Sequence, residues 1–579
     1  MLWKFLRAAL HPRASVSRFV NRGLALRKQG RLPDAEQVLR QAVERFPHDA
    51  VAATNLAIVL LEQDQGQQGV ALLHQALVCD PQCGAAHYNL ANVLRASGRL
   101  DEAIAHYAAA GRSTPQIAPA TEELMHTLLE VCDWDRAQVE ADRLRALVAV
   151  RPAAEWMPRI SPLTSSYLEL DCANRKQVAR HHSAECARGI RPVRRKDLSR
   201  DNDSSRIRIG YLSRDFRDHP VGHLMRGAFD LHDRSRFEVF AFSYGPNDAS
   251  AYRAAIAAGA DHLVEVGNKS DGQTANEIAA AGIHVLVDLA GHTTGNRLGV
   301  LARRPAPVQV HYLGYPGTTG AAYIDYFITD HLATPPQLAS EFTEQLAYLP
   351  RCFMVSNGLD AVSAGNVARA EQGLPQDAFV FCNFANSSRI TRKVFRLWME
   401  ILQAVPSGVL WLRQSHALTV GNLQSEARLC GVDAERLIFS HRVADKSAHL
   451  ARVGLADMAL DTIGWYNGHS NTSDMLWAGV PVLTAWGETF ASRVAASLLH
   501  AAGLPELVAS DAQDYVKIAV RLGNHQAECA ALKRKLADNK DSAPFFDQRR
   551  TVADLEAAYL EMWQAHRSAN VPRTIRVPE

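Results

Sequence analysis

The chain has 579 residues, 47% of them apolar, and its 63 basic and 61 acidic residues leave a formal net charge of +2. This length predicts roughly three to four domains, and the apolar fraction excludes a largely disordered chain. The balanced charge argues against nucleic acid as a partner, and the sequence contains no run of ~18 apolar residues that would predict a membrane span.

The cysteines and the beginning of the chain indicate a cellular compartment. The nine cysteines form no CxxC pair and no spacing typical of a metal site, so we expect free thiols in a reducing environment and no bound metal. The apolar runs at the start are interrupted by Lys4, Arg7 and Arg13, which fits the start of a helical domain better than a cleaved signal. We therefore expect a cytoplasmic protein.

A period of 34 residues organises the first part of the chain. It links three sets of identical residues: Pro47, Pro81 and Pro115; Ala42, Ala76 and Ala110; and Leu26, Leu60 and Leu94. Small residues at Ala35, Gly69 and Ala103 would let paired helices approach closely, and each proline would close the second helix of a unit. The pattern resembles the tetratricopeptide repeat and predicts a helical array over residues 1–150, with an ordinary helical bundle as the alternative.

The repeats also predict a binding surface. One unit cannot bury its apolar face alone, so neighbouring units must stack. Three units are clear between about residues 16 and 117, and a degenerate fourth follows. Such an array predicts a concave surface for a protein or peptide, or a contact between two copies of the chain.

Residues 151–204 are predicted to form a helical connector that ends in a polar linker. The linker contains Asp201 and Asp203 in a DxD arrangement, which can hold a diphosphate through a divalent cation. Because the surroundings are rich in Ser, Asn and Asp, we interpret this stretch as a solvated linker instead of a metal site.

From residue 205 onward, short β-branched runs alternate with helical stretches. The first series of predicted strands covers 206–213, 237–243, 262–266, 284–291, 308–314 and 326–330. The second series covers 379–384, 408–413, 437–441, 458–462 and 481–486. Alternating strands and helices are typical of parallel sheets. The two series therefore predict two doubly wound α/β domains, residues 205–372 and residues 373–579, the second one ending in helices.

Polar side chains of the first domain follow the ends of its predicted strands. His219 and His223 come after the first strand, His292 after the fourth, and Thr318 and Thr319 after the fifth. The carboxyl ends of parallel strands meet at one edge of a sheet, where α/β proteins bind ligands. A lone histidine there would most often be structural, but several such ends together favour a site.

Two loops of the second domain have features of a phosphate site. One places Asn386 and Arg389 between a strand and a helix. The other delivers His469 and the polar residues 470–473 to a predicted helix start, with Asp474 in the first turn. Backbone N–H groups and the helix dipole suit a phosphate there. Ordinary N-capping is the alternative, although it requires only one such residue.

Long collinear motifs identify the chain as a member of the O-linked N-acetylglucosamine transferase family, which includes bacterial members and the plant SPINDLY-like O-fucosyltransferases. The resemblance covers about residues 16–565 and rests on runs such as GYLSRDFRDHPVGHLM, DLAGHTTGNRLGVLARRPAPVQVHYLGYPGTTG, LWAGVPVLT and GETFASRVAASLL. It implies a tetratricopeptide solenoid followed by a GT-B fold. It also implies metal-independent, inverting transfer of a sugar, here N-acetylglucosamine from UDP-GlcNAc, to Ser or Thr of a protein that the repeats bind.

The resemblance further implies roles for individual residues. His219 corresponds to the family's active-site histidine, either as the general base or as a positioning residue. His292 corresponds to a second histidine that shapes the sugar pocket. Three residues match nucleotide contacts of the family: Lys446, His449 and Arg452. A loop matches the one that holds the diphosphate: His469, Ser470 and Asn471. His449 would lie against the base, and Asp474 would hold the ribose.

The diphosphate pocket departs from the family pattern. The family has Lys at the position of Arg389, which keeps the charge and can fork onto phosphate but is larger. Ala385 replaces a common Asn, Asn386 keeps a polar amide, and the loop reads His-Ser-Asn where His-Thr-Thr is typical. The departures leave three interpretations open: an N-acetylglucosaminyltransferase, an O-fucosyltransferase that uses GDP-fucose, and a repeat scaffold with a weakly active or inactive sugar-nucleotide domain. A nucleotide-sugar epimerase would explain neither the repeats nor the collinear motifs.

Overall fold

A computed structural model describes residues 12–113, 119–150, 160–195, 206–356, 362, 367–568 and 571–579. The chain divides into two units, residues 1–150 and residues 151–579. Pro115 of the repeat pattern and the DxD residues Asp201 and Asp203 lie outside the described residues.

The described part of the first unit is helical. Its helices are α1 (Pro12–Lys28), α2 (Leu32–Arg45), α3 (Ala50–Glu62), α4 (Gly66–Cys79), α5 (Gly84–Ala96), α6 (Leu100–Arg112), α7 (Ala120–Glu130) and α8 (Trp134–Val150). Each pair within a repeat packs together, α3 with α4 and α5 with α6. The predicted helical repeat array is confirmed.

The repeat core shows why small residues recur every 34 positions. Ala35 and Ala103 are fully buried. A Cβ on Gly69 would lie 2.8 Å from Leu61 Cγ, so no larger residue fits without a shift. Gly30 and Gly98 end their helices in the left-handed region, with φ of 75° and 77°. The intervening repeat uses Asp64 there, with a φ of 60°.

The first sheet of the second unit contains β1 (Ile207–Ser213), β2 (Phe237–Ser243), β3 (His262–Glu265), β4 (Val285–Asp288), β5 (Val308–His311), β6 (Tyr326–Asp330), β7 (Gln345–Leu349) and β14 (Ile575–Arg576). Their order is β14-β7-β6-β5-β4-β1-β2-β3, and all neighbours are parallel. All six predicted strands are present, and β7 and β14 were not predicted.

The second sheet contains β8 (Phe379–Asn383), β9 (Gly408–Arg413), β10 (Leu437–Ser440), β11 (Met458–Leu460), β12 (Val482–Ala485) and β13 (Val508–Ala509). The order is β10-β9-β8-β11-β12-β13, again with parallel neighbours. All five predicted strands are present and only the two-residue β13 was missed. Two parallel sheets with crossover helices form the predicted GT-B fold.

Helices connect and cover the sheets. Before and within the first domain lie α9 (Pro162–Ser165), α10 (Cys172–Ala187), α11 (Pro220–Met225), α12 (Ala228–Leu231), α13 (Ala251–Gly259), α14 (Asp271–Ala280) and α15 (Leu298–Leu301). The remainder are α16 (Arg392–Ala404), α17 (Ala417–Leu429), α18 (Lys446–Val453), α19 (Ser470–Trp477), α20 (Val494–Ala501), α21 (Ala512–Asn524), α22 (Gln526–Asn539) and α23 (Gln548–Arg567). In the part of the chain that the structure describes, no helix is long and apolar enough to cross a bilayer.

The end of the chain returns to the first domain, unlike the predicted assignment of residues 373–579 to the second. Helix α23 packs on the first sheet, where Glu556 accepts a 2.9 Å hydrogen bond from the buried His232 ring. Strand β14 then pairs with β7. The helix buries Leu555, Tyr559 and Met562 against that sheet, so apolar burial draws the terminal segment back.

Candidate active site

One cavity of about 330 Å³ lies between the two α/β domains. Nine of the predicted site residues line it: His219, Asn386, Arg389, Lys446, His449, Arg452, Ser470, Asn471 and Asp474. Two predicted residues, His292 and His469, are not among its lining residues. Six of these nine residues were selected from strand ends and loops, and Lys446, His449 and Arg452 from the family resemblance.

The lining of this cavity is strongly basic. Five side chains are cationic: Arg389, Arg413, Arg442, Lys446 and Arg452. Two are carboxylates: Asp218 and Asp474. In a cleft with low-dielectric walls such an excess of positive charge attracts polyanions, so the cavity suits a diphosphate.

Arg389 reaches the cavity from a short turn after β8. The turn is a 3-10 helix, Ser387–Arg389, whose first residue is preceded by Asn386. The Asn386 Oδ1 accepts a 3.1 Å hydrogen bond from the Ser388 N–H and so caps the turn. The Arg389 guanidinium donates to the Asn467 carbonyl over 3.4 Å and lies over the Tyr466 ring.

Asp461 holds the loop that precedes α19 through hydrogen bonds. This buried carboxylate accepts a 2.7 Å hydrogen bond from the Gly468 N–H and another from the Thr484 hydroxyl. A Cβ on Gly468 would lie 2.5 Å from Thr472 Oγ1, so the loop requires glycine here. Burial raises the pKa of Asp461 to about 6.

His469 supports the loop and does not face the cavity. It precedes α19, and its Nε2 donates to the Ala491 carbonyl over 2.9 Å. Burial, together with the nearby Arg389 charge, lowers its pKa to about 3. Because the helix begins directly at Ser470, Asp474 lies in the second turn, one turn later than predicted.

Lys446 and Asp474 form an ion pair across the cavity wall. Lys446 opens α18 and Asp474 lies on α19, so the pair joins the two helix beginnings that line the cavity. The resemblance assigned them to the nucleotide and to the ribose, and the structure places both groups within reach of one ligand.

His449 and Arg452 both pack against the Phe384 ring. The His449 ring meets the Phe384 ring edge to face, with centroids 5.5 Å apart. The Arg452 guanidinium lies 5.3 Å from the Phe384 centroid and donates from Nε to His449 Nδ1 over 3.3 Å. Burial and the neighbouring cations lower the pKa of His449 to about 3, so the ring is neutral at physiological pH. A neutral ring beside an aromatic face suits stacking against a base.

His219 enters the cavity from the first domain as the cap of α11. Its Nδ1 accepts a 3.3 Å hydrogen bond from the Val221 N–H, and the Asp215 carboxylate lies 3.7 Å away. Burial lowers the pKa of His219 although Asp215 opposes this shift. Because the Val221 N–H and Asp215 both lie at Nδ1, Nε2 is the ring nitrogen that remains for a ligand.

His292 is buried and is not among the residues that line the cavity. Its Nε2 donates to the Thr319 carbonyl over 2.7 Å, and the ring meets Tyr315 edge to face at 5.3 Å. Burial lowers its pKa to about 4. This geometry supports a role in shaping the loop around Thr319.

The burial of His292 makes the free energy of unfolding depend on pH. The unfolded chain binds a proton at the ordinary histidine pKa of about 6.5, so stability falls as the pH drops from about 6.5 toward 4, by roughly 3 kcal/mol for His292. We expect His292→Gln to reduce the loss of thermal stability between about pH 7 and pH 4, and His525→Gln, at an exposed position, to leave it unchanged. Calorimetric unfolding midpoints measure this. An identical pH dependence in His292→Gln would show that the ring is not held neutral.

Sequence reasoning missed three charged residues of the lining: Asp218, Arg413 and Arg442. Arg413 is the last residue of β9, and Arg442 follows β10 by two positions. The strand-end argument that selected Asn386 would have selected both. Asp218 adjoins His219 and accepts a 2.7 Å hydrogen bond from His223 Nε2.

Fold and site together define a GT-B protein with tetratricopeptide repeats and a basic cleft between its two α/β domains. Glycosyl transferase family 41 matches residues 131–364 and 357–555, and the tetratricopeptide repeat matches residues 20–67 and 54–116. The chain therefore belongs to glycosyl transferase family 41, and the family predicted from the sequence motifs is confirmed.

Several relatives align with most of this chain. The probable UDP-N-acetylglucosamine--peptide N-acetylglucosaminyltransferase SEC of Arabidopsis thaliana is 34% identical and covers 79% of this chain and 48% of its own length. The UDP-N-acetylglucosamine--peptide N-acetylglucosaminyltransferase of Caenorhabditis elegans is 30% identical, with coverages of 76% and 48%. The chain thus spans about half the length of these curated relatives. A mutant O-GlcNAc transferase of Thermobaculum terrenum superposes with a TM-score of 0.70 at 28% identity, covering 96% of this chain and 98% of that one.

Proposed function

We propose that the protein is an inverting O-glycosyltransferase that transfers N-acetylglucosamine from UDP-GlcNAc to Ser or Thr of a protein. The observation that carries the proposal is the single cavity that brings His219 of one domain to the basic residues of the other. The names of the two relatives, which specify UDP-N-acetylglucosamine and a peptide, support the donor and the acceptor class.

Departure of the nucleoside diphosphate is the step that the cavity suits best. Negative charge grows on the leaving phosphate in the transition state, and fixed positive charge stabilises it there more than in the ground state. Arg389 and the N-terminus of α19 supply that charge at one end of the cavity, and Lys446 supplies it beside Asp474. The packed rings of Phe384 and His449 would hold the base of the nucleotide.

We assign His219 a binding role at the reacting end. Its Nε2 would form a hydrogen bond with an oxygen of the sugar or the acceptor. Because it lines the cavity from the first domain, it completes the site only when both domains contribute.

The proposed chemistry requires no metal ion. The basic side chains that line the cavity can neutralise the leaving phosphate in place of a cation. No group of three His, Cys, Asp or Glu residues in the described parts of the chain is arranged to hold a metal ion. We expect turnover to survive EDTA, measured as UDP release. Loss of turnover on chelation, restored by manganese or magnesium, would contradict the metal-free mechanism.

The proposed function is tested by incubating the full chain with UDP-GlcNAc and a library of Ser- and Thr-containing peptides and proteins. Mass spectrometry should detect one N-acetylhexosamine on a hydroxyl side chain, and His219→Ala should abolish that product. Modification by fucose from GDP-fucose, with none from UDP-GlcNAc, would establish the alternative donor.

We further propose that the repeats bind the acceptor protein and that the protein acts in the cytoplasm. The helical repeat array supports the first proposal, because stacked repeats form extended binding surfaces. The free cysteines support the second, since a reducing compartment keeps thiols unpaired. Localisation of a tagged chain and cross-linking to a modified acceptor would test both.

A further inference from the structure

We infer that Tyr466 is a positioning residue that holds the Arg389 guanidinium in place for the diphosphate, with Tyr167 of the connector as its outer support. The inference rests on the proposed function, because it assigns Arg389 to the leaving group. Tyr466 is not among the lining residues of the cavity and therefore acts through Arg389.

The first support is the contact between the guanidinium and the Tyr466 ring. The Arg389 Cζ lies 4.2 Å from the ring centroid, well inside the distance of a cation–π interaction. The same guanidinium donates to the Asn467 carbonyl, the residue that follows Tyr466. One short segment thus holds the guanidinium through a ring contact and a hydrogen bond.

The second support is the stack behind Tyr466. The Tyr466 and His469 rings are nearly parallel, at 18° and 4.8 Å between centroids. The Tyr167 ring stacks on Tyr466 at 13° and 5.9 Å, and the Tyr167 side chain also accepts a hydrogen bond from Arg389. His469 is itself hydrogen-bonded to the Ala491 carbonyl, which holds its ring in position beside Tyr466.

The connector that carries Tyr167 is anchored to both α/β domains. The Tyr315 hydroxyl donates to the Pro162 carbonyl over 3.0 Å, and the Arg175 guanidinium lies 5.2 Å from the Trp465 centroid. These contacts place Tyr167, between Pro162 and Arg175 in sequence, against Tyr466 and Arg389. The connector therefore contributes to the phosphate clamp from outside the two sheets.

Arginine needs such a support more than lysine does. Its planar guanidinium stacks on aromatic faces, whereas an ammonium is a compact and strongly hydrated charge. An arginine held against the Tyr466 ring is ordered before a phosphate binds, so its donors are preorganised for phosphate oxygens. Without the ring, the same arginine would have to be ordered each time that a diphosphate binds.

A double-mutant cycle between Tyr466 and Arg389 tests the inference. UDP affinity is measured by calorimetry, and kcat and KM with UDP-GlcNAc, for the full chain and for Y466F, Y466L, R389K and Y466L/R389K. We expect Y466F to remain within about twofold of the unchanged protein, because the ring is kept. Y466L should weaken UDP binding roughly fivefold to tenfold. In the R389K background, Y466L should have less than about a twofold effect, since an ammonium does not depend on the stack.

The outcomes separate this inference from the proposed function. An equal loss for Y466L in both backgrounds, or a loss for Y466F as large as for Y466L, would overturn the positioning role while UDP binding itself stands. No UDP or GDP binding by the unchanged chain would overturn the proposed function and with it this inference. If Y466L is unfolded by calorimetry, Y167L replaces it in the cycle, with the same expected dependence on Arg389.

Discussion

Arg389→Ala is expected to weaken the binding of UDP by roughly 1.5–3 kcal/mol, the range for a hydrogen bond to a charged group. It should also lower kcat, since charge on the leaving phosphate is larger in the transition state than in the bound donor. Calorimetry with UDP and steady-state kinetics with UDP-GlcNAc measure the two effects. Arg389 lines the cavity and its guanidinium is fixed by neighbouring groups, so the loss should not be replaced by another side chain.

Two further variants make this result interpretable. Arg428→Ala removes an arginine from an exposed position of the same domain, away from the cavity, and should change neither quantity. Arg389→Lys should retain binding, because it keeps the charge. Unchanged affinity and turnover in Arg389→Ala would show that the diphosphate is held by Lys446 and the α19 loop alone.

Deletion of residues 1–117 is expected to reduce transfer to a protein acceptor by roughly a hundredfold, the order by which a second binding module raises affinity. The cut falls between α6 and α7, and every residue that lines the cavity belongs to the unit of residues 151–579. UDP affinity should therefore change by less than about twofold. Acceptor labelling and UDP calorimetry on the same preparation measure the two functions.

The truncation exposes apolar side chains of α7 and α8 that the preceding repeat buries, including Leu124 and Leu128. Deletion of residues 1–150, at the boundary between the two units, avoids this exposure and serves as the matched control. If both truncations are folded and lose UDP affinity and acceptor transfer to the same extent, the repeats do not have a separate role.

Much of the fold was predictable because its signals are local. The eleven predicted strands are present, and the central ones are short apolar runs that a parallel sheet buries on both faces, as in β4 and β8. The 34-residue period marked the repeats even where Asp64 replaces glycine. The two-residue strands β13 and β14 could not be predicted, because segments so short show no alternation of apolar and polar residues. Their extended form depends on pairing with a neighbouring strand.

The candidate site was predictable in membership and less so in arrangement. Strand ends and a polar loop selected six lining residues, and the family resemblance selected the other three, Lys446, His449 and Arg452. Nothing local indicated that Lys446 and Asp474 pair with each other or that His469 turns toward Ala491. His292 has the same Gly-flanked setting as a site residue, and only the packing of Tyr315 and Thr319 around it shows that it is buried. Such contacts depend on the tertiary structure alone.

The interpretation as a repeat scaffold with an inactive domain differs from the proposal in one respect, which is turnover. Both share the fold, the family and the repeats. The basic lining and the supported Arg389 favour an active site, because a domain without catalytic function gains nothing from holding an arginine toward an anion cavity.

The most direct test of the central claim is a screen of sugar-nucleotide turnover by the full chain, with UDP-GlcNAc, GDP-fucose and other UDP-sugars offered in turn together with an acceptor mixture. We predict that UDP-GlcNAc is consumed in the presence of EDTA, that N-acetylglucosamine appears on Ser or Thr, and that Arg389→Ala loses this activity. A folded protein that binds neither UDP nor GDP and turns over no donor would contradict the account.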